Sequence, residues 1–221
     1  MKSYRDKELK NLTLMLVFLF LLMCTSAITD LALAENKSMF TMLGSVLESV
    51  IISCVVSNFV LICDCIIGSK AKDKLVGLFF IPRAGETIFS RIQKESIRDD
   101  RFLISDAKIK YESIITGIPK TRKQKKQYEN AHWYRIYLKY QDKGQVSQSH
   151  HDYLMCRDLY IGTIGFLCAY LLSWILFPTI VSWSYQFILI TIVLAAVFNL
   201  CTQLKMNRFV NTVIAVDIGN R

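Results

Sequence analysis

Four long apolar stretches dominate this sequence of 221 residues and constrain its fold more than any other feature. They cover residues 12–34, 44–67, 159–184 and 187–204, and none holds more than two charged residues. A helix needs roughly 20 mostly apolar residues to cross a membrane. The stretches are also continuous, unlike the periodic pattern of a helix that is half exposed to water. The sequence therefore predicts an all-α polytopic membrane protein with four transmembrane helices.

The polar stretch between the second and third spans predicts a helical cytosolic insert. Residues 68–158 hold nineteen Lys or Arg against eleven Asp or Glu, and they are numerous enough for a small folded domain. The predicted segments are residues 1–67 with transmembrane helices 1 and 2, the basic domain 68–158, residues 159–204 with transmembrane helices 3 and 4, and a cytosolic tail at 205–221. This tail could pack on the central domain or lie along the membrane.

The distribution of positive charge predicts the topology. Lys and Arg collect on the cytoplasmic side of membrane proteins. Lys37 is the one basic residue in the two short connections, which join the first stretch to the second and the third to the fourth. We therefore expect a multi-pass protein of the inner membrane with both termini in the cytoplasm. A signal peptide is the alternative for the first stretch, since Ala32 and Ala34 resemble a cleavage site. The length of the apolar run favours a retained span.

The second stretch carries a polar face that a simple membrane anchor does not need. Ser49, Ser53, Ser57 and Asp64 fall within about 80° of one another on a helix. A charged residue inside a span usually faces protein or a water-filled cavity. These four residues are therefore candidate pore-lining residues. The alternatives are a stripe of small residues for close helix packing, and a position of Asp64 beyond the hydrocarbon.

The segment 120–126 of the central domain carries five positive charges in seven positions. Such a run can bind phosphates electrostatically, and a nearby aromatic ring can stack on a base. The candidate residues for an anionic ligand are Lys120, Arg122, Lys123, Lys125, Lys126 and Trp133. The run could instead be a topology signal or attract anionic lipid. Trp133, Tyr137 and Tyr140 share a helix face, and this pattern favours the core of a small helical domain over a stacking platform.

The residues give no indication of an enzyme, a metal or a cofactor. His150 and His151 are adjacent, so on a helix they point about 100° apart and do not form a chelating pair. Cys63 and Cys65 have no second pair of ligands nearby, which argues against a zinc site. No arrangement of nucleophile and base has a diagnostic spacing. The expectation is a protein without catalytic residues, metal or cofactor.

The layout of two spans, a basic insert and two more spans resembles the small membrane effector or sensor subunits of bacterial anti-phage systems of the Hailong, Kiwa and CBASS types. Four segments carry the resemblance, namely Arg83–Phe89, Asp99–Phe102, Trp133–Tyr137 and Tyr153–Asp158. The resemblance implies a protein that oligomerises and permeabilises the inner membrane after a nucleotide or nucleic-acid signal. It assigns no role to any single residue of this chain.

Together these features predict an oligomeric inner-membrane effector of anti-phage defence, acting as a ligand-controlled ion channel or a membrane-permeabilising protein. A homo-oligomer is expected because four spans with one polar stripe enclose no pathway alone. Other expected partners are membrane lipid, a nucleotide or single-stranded nucleic acid, and a cytosolic protein. The main alternative is a non-conducting membrane scaffold or sensor that recruits a cytosolic partner through the basic domain. A lipid-binding or transport accessory protein is a third.

Overall fold

The computed structural model of the protein describes residues 10, 12–19, 67–77, 82–176 and 183–220, and within these ranges it is helical and contains no strand. The prediction of an all-α fold is confirmed at this level. The helices are α1 (Ser69–Val76), α2 (Ile88–Gln93), α3 (Ile104–Lys110), α4 (Glu112–Thr116), α5 (Arg122–Tyr140), α6 (Gly144–Leu176) and α7 (Tyr185–Gly219), and residues 12–19 are also helical.

Two helices in the described part of the chain, α6 and α7, are long and apolar enough to cross a membrane. They contain most of the predicted third and fourth spans and are compatible with a membrane protein. The first predicted span is described only at residues 12–19, and the second, at 44–67, lies outside the described residues apart from Ile67. The structure therefore supports two of the four predicted spans, and the four-span topology remains a prediction.

The described residues form two compact units, and α6 and α7 contribute to both. Unit 1 contains the described residues up to Lys72 together with Arg157–Asn199. Unit 2 contains the described residues of Asp73–Cys156 together with those from Leu200 onward. The end of α7, which covers most of the predicted tail, belongs to unit 2.

Unit 1 has an apolar core and an apolar surface. Its core contains Leu12, Leu16, Leu19, Phe166, Tyr170 and Phe187. A Cβ atom on Gly162 would lie 2.8 Å from Leu12 Cδ1, so the missing side chain allows α6 and residues 12–19 to approach closely. The outer surface includes Leu172, Ile175, Leu176, Leu189, Ile192, Val193 and Val197, which are 47–67% exposed. Such a surface suits a lipid environment better than water.

Unit 2 is a small helical domain with one continuous core. Trp133 and Tyr140 of α5 pack in it, as do Phe89 of α2 and Phe209 of α7. The interpretation of the α5 aromatic face as a domain core is therefore confirmed. α7 supplies the largest set of core residues, namely Met206, Phe209, Val210, Val213, Ile214 and Ile218. The predicted tail thus packs on the central domain, which is one of the two arrangements that the sequence left open.

Two helix boundaries involve residues that often cap or end helices. α3 begins at Ile104, its N-cap position is Leu103, and no side chain caps it there. Gly144 is the first residue of α6, which continues without a break through the described part of the predicted third span.

Candidate anionic-ligand site

The predicted basic run lies at the N-terminal end of α5. Lys120, Arg122 and Lys123 are exposed, and Lys125 and Lys126 are half-buried. The N-terminus of a helix already carries partial positive charge from its unpaired amides, and the first turn of α5 contains no acidic residue. Clustered cations at this end therefore oppose helix stability and add to a positive potential that attracts anions.

One residue of the run is connected to the turn that precedes α2. Lys126 Nζ lies 3.4 Å from Glu86 Oε2, and Arg83 Nε lies 3.9 Å from Glu86 Oε1. The backbone N–H of Arg83 also donates to Glu86 Oε2 at 3.1 Å. Glu86 thus holds the turn closed and anchors it to α5. This gives the Arg83–Phe89 segment, which the resemblance singled out, a structural role.

Trp133 is not an exposed stacking platform. It is only 4% exposed, its ring stacks on Tyr137 with centroids 5.8 Å apart, and the ring of Phe209 meets it edge-on at 5.4 Å. Its grouping with the basic residues needs correction in this respect, because α5 turns its aromatic face inward to fill the core of unit 2. The role of the five basic residues in binding an anion remains a prediction.

A buried carboxylate on α5, which sequence reasoning missed, organises α2. Glu129 is fully buried, and its Oε2 accepts the backbone N–H of Ser90 at 3.0 Å. The Ser90 hydroxyl donates to Glu129 Oε1. Ser90 is the third residue of α2, so its N–H has no partner within the helix, and Thr87 at the N-cap makes no side-chain cap. Glu129 therefore caps α2 from 39 positions further along the chain.

A second segment of the resemblance, Asp99–Phe102, forms a bidentate ion pair that contacts α7. Arg101 Nε and Nη2 donate to the two carboxylate oxygens of Asp99 at 2.8 and 2.7 Å, and Arg101 Nη1 donates to Thr212 Oγ1 at 2.7 Å. The hydrogen bond from the Arg101 side chain is the main cause that lowers the pKa of Asp99. The carboxylate is therefore ionised at neutral pH, and the pair positions the 99–102 loop in unit 2.

Another polar cluster holds the C-terminal end of α7. Asp217 Oδ2 accepts the Tyr111 hydroxyl at 2.6 Å and lies 3.1 Å from Lys110 Nζ. Burial, and then the hydrogen bond to Asp217, raises the pKa of Tyr111, so its hydroxyl remains a donor at any physiological pH. These contacts stabilise unit 2.

The candidate pore-lining residues Ser49, Ser53, Ser57 and Asp64 lie outside the described residues. Within the part of the chain that the structure describes, no three His, Cys, Asp or Glu side chains are grouped as metal ligands. His150 contributes to packing instead, with its ring stacked on Phe209 at 4.8 Å and its Nδ1 3.3 Å from the Tyr137 hydroxyl oxygen.

No protein family model matches this sequence, and no curated protein or solved structure matches it.

Proposed function

We propose that this protein is an oligomeric effector of the bacterial inner membrane that responds to an anionic cytosolic ligand. Binding at unit 2 would open a cation pathway, or otherwise permeabilise the membrane. The resemblance to anti-phage effectors is the reason for proposing a role in defence. The proposed pathway is lined by Ser49, Ser53, Ser57 and Asp64. Nucleotides and single-stranded nucleic acids are the ligands that the charge pattern favours.

The observation that supports this proposal most is the position of the basic run on α5. Four of the five cations lie within the first five residues of a 19-residue helix and Lys120 just precedes it, at the end where the backbone amides are also positive. The arrangement raises electrostatic repulsion within the domain, so an approaching anion would relieve it. A topology signal requires positive charge somewhere in the segment. It does not require that charge at the N-terminus of a helix, where positive charge is least favourable for the helix.

Two continuous helices support a link between ligand binding and the membrane. α6 and α7 each contain residues of unit 2 and apolar residues of unit 1. Helices of 33 and 35 residues are about 50 Å long, which exceeds the roughly 30 Å of a hydrocarbon core. A shift of either helix within unit 2 would therefore be transmitted along the same helix into its apolar part.

One observation favours the alternative of a non-conducting scaffold. Tyr134 and Leu138, one turn apart on α5, are 50% and 44% exposed. Exposed aromatic and aliphatic side chains at this spacing can anchor a partner protein. In the scaffold alternative, unit 2 would recruit a cytosolic protein through this face, and the membrane part would serve as an anchor.

The topology is the first testable expectation. A reporter fused after Arg221 or inserted in the 141–143 loop should be cytoplasmic, and a reporter inserted at Lys37 should be periplasmic. The reason is the excess of Lys and Arg in residues 68–158. Alkaline phosphatase and green fluorescent protein fusions measure the two locations. A cytoplasmic reporter at Lys37 would contradict the assignment of the first span.

The basic run can be tested by charge removal. Changing all five of its Lys and Arg residues to Gln should weaken binding of a single-stranded oligonucleotide on the order of 10-fold or more at low salt, because phosphate contacts release counterions. Fluorescence anisotropy of a labelled oligonucleotide with the detergent-solubilised protein measures the affinity. The difference between parent and variant should shrink as salt rises.

A matched pair of double variants separates local charge from net charge. Lys120→Gln with Arg122→Gln and Lys94→Gln with Arg98→Gln each remove two positive charges from exposed positions. The first pair should weaken oligonucleotide binding clearly more than the second. Equal losses would indicate nonspecific attraction, and no loss in either would leave the run with its topology and lipid roles.

Conduction is tested at Asp64. An oligomer would place a ring of these carboxylates near the cytoplasmic mouth, and such rings favour cations. Asp64→Asn keeps the size of the side chain, so it should lower cation conductance or selectivity while leaving assembly intact. Planar-bilayer recordings with added oligonucleotide, on the parent and this variant, measure the effect. A conducting Asp64→Asn protein with unchanged selectivity would exclude Asp64 from the pathway.

A further inference from the structure

Unit 2 contains a small cavity that is lined by two arginines and does not include the basic run. It has a volume of about 170 Å³ and lies between residues 82–91 and the α7 residues 203–210. Its polar lining consists of Arg83, Thr87, Arg91, Gln203 and Asn207. Met206 and Val210 provide part of an apolar wall. No Asp or Glu is among the described residues that line it.

The two arginines are held in different ways. Arg91 Nη1 donates to Asn207 Oδ1 at 2.9 Å, which fixes its guanidinium group against α7 and uses one of its five N–H donors. Arg83 Nε is 3.9 Å from Glu86 Oε1, which is too long for a hydrogen bond. Glu86 is also shared with Lys126. Among the described residues, the cavity is therefore lined by two guanidinium groups and no carboxylate, and the adjacent Glu86 has Lys126 as a second cationic partner.

We propose that this cavity binds the terminal phosphate of a phosphomonoester. A phosphate dianion has three terminal oxygens and suits the planar donor forks of two arginines, and the amides of Gln203 and Asn207 and the Thr87 hydroxyl can add neutral hydrogen bonds. The volume is below the roughly 300–1,000 Å³ of sites that enclose drug-sized ligands. The cavity therefore takes the phosphate group, and the rest of the ligand lies outside it.

The cavity connects this binding to α7. A phosphate held by Arg83, Arg91 and Asn207 would join residues 82–91 to α7. The earlier part of the same helix, which begins at Tyr185, is apolar. The inference rests on the proposed function in one respect, namely that this occupancy signals to the membrane part. Phosphate binding itself does not depend on conduction, so the two can fail separately.

The test measures phosphate binding by the full-length protein in detergent. Calorimetric titration with inorganic phosphate and with adenosine monophosphate probes a soluble ligand. Flotation with phosphatidylcholine vesicles, with and without phosphatidic acid, probes a lipid headgroup that carries the same phosphomonoester. We expect saturable binding in at least one arm. Binding in the soluble arm identifies a free phosphomonoester, and binding only to phosphatidic acid vesicles identifies a lipid.

Three variants assign the binding to the cavity. Arg83→Gln and Arg91→Gln should each weaken binding about 10-fold to 100-fold, since each removes charged hydrogen bonds to the phosphate. Arg91→Lys keeps the charge but loses the planar fork, so it should also weaken binding several-fold. Arg98→Gln is the matched control, because Arg98 is exposed and does not line the cavity. Its affinity should stay within about twofold of the parent.

Hydrogen–deuterium exchange of the parent protein covers the case in which a variant does not fold. Saturating phosphate should slow exchange of amides in residues 83–91 and 203–210 and leave those in 104–116 unchanged. The proposal is overturned by an absence of saturable binding in both arms up to about 10 mM ligand. It is also overturned by an equal loss in Arg98→Gln, or by protection that appears outside the two cavity segments. Phosphate binding without conduction would instead count against the proposed function alone.

Discussion

Gly85→Ala should strongly destabilise unit 2. Gly85 has a φ of +80°, and a Cβ atom there would lie 2.6 Å from Cε3 and 2.7 Å from Cδ2 of Trp133. The indole ring cannot retreat, because Tyr137 and Phe209 pack against it. The left-handed backbone and the overpacking together should cost roughly 2–5 kcal/mol, a large fraction of the stability of a small domain.

Thermal unfolding of the detergent-solubilised full chain, followed by circular dichroism, measures this loss. We expect the midpoint to fall on the order of 10 °C, with faster amide exchange in residues 82–156. Gly144→Ala is the matched control, since nothing lies within 4 Å of a Cβ atom at that position, and it should leave the midpoint almost unchanged. A Gly85→Ala protein as stable as the parent would contradict the packing of Trp133 on this turn.

Glu129→Ala should cause the second large loss. It removes both acceptors from Ser90, whose N–H and hydroxyl would remain buried without partners. Each unsatisfied buried group costs about 1–3 kcal/mol, so we expect a loss of roughly 2–5 kcal/mol in the free energy of unfolding. The N-terminal turn of α2 should show the largest increase in amide exchange, since it loses its cap.

Glu129→Gln separates hydrogen bonding from charge. The amide oxygen can accept the Ser90 N–H, and the amide nitrogen can donate to the Ser90 hydroxyl oxygen if that hydroxyl reverses its role. We therefore expect less than half of the loss seen with Glu129→Ala, by the same thermal measurement. If the glutamine variant is as unstable as the alanine variant, the negative charge itself stabilises the domain, and the capping explanation is wrong.

The basic run is the part of the candidate site that can be predicted from the sequence. Five cations in seven positions are visible without a structure, but their place relative to α5 depends on where that helix begins. α5 begins at Arg122, so four of the five cations lie within its first five residues and Lys120 precedes it. The cavity with Arg83 and Arg91 could not be predicted, because its walls come from distant segments, and Arg91 and its partner Asn207 are 116 positions apart.

The sequence by itself determined the helical, membrane-compatible character of the described chain. Hydropathy and helix periodicity act over one or two turns, so neighbouring residues are enough to decide them. Only the tertiary structure showed that Glu129 caps α2, and it decided between the alternatives left open for Trp133 and for the end of α7. Each of these features depends on a partner 39 to more than 100 positions away. Packing and the need to satisfy buried polar groups determine which distant residues become partners. No local sequence pattern encodes that pairing.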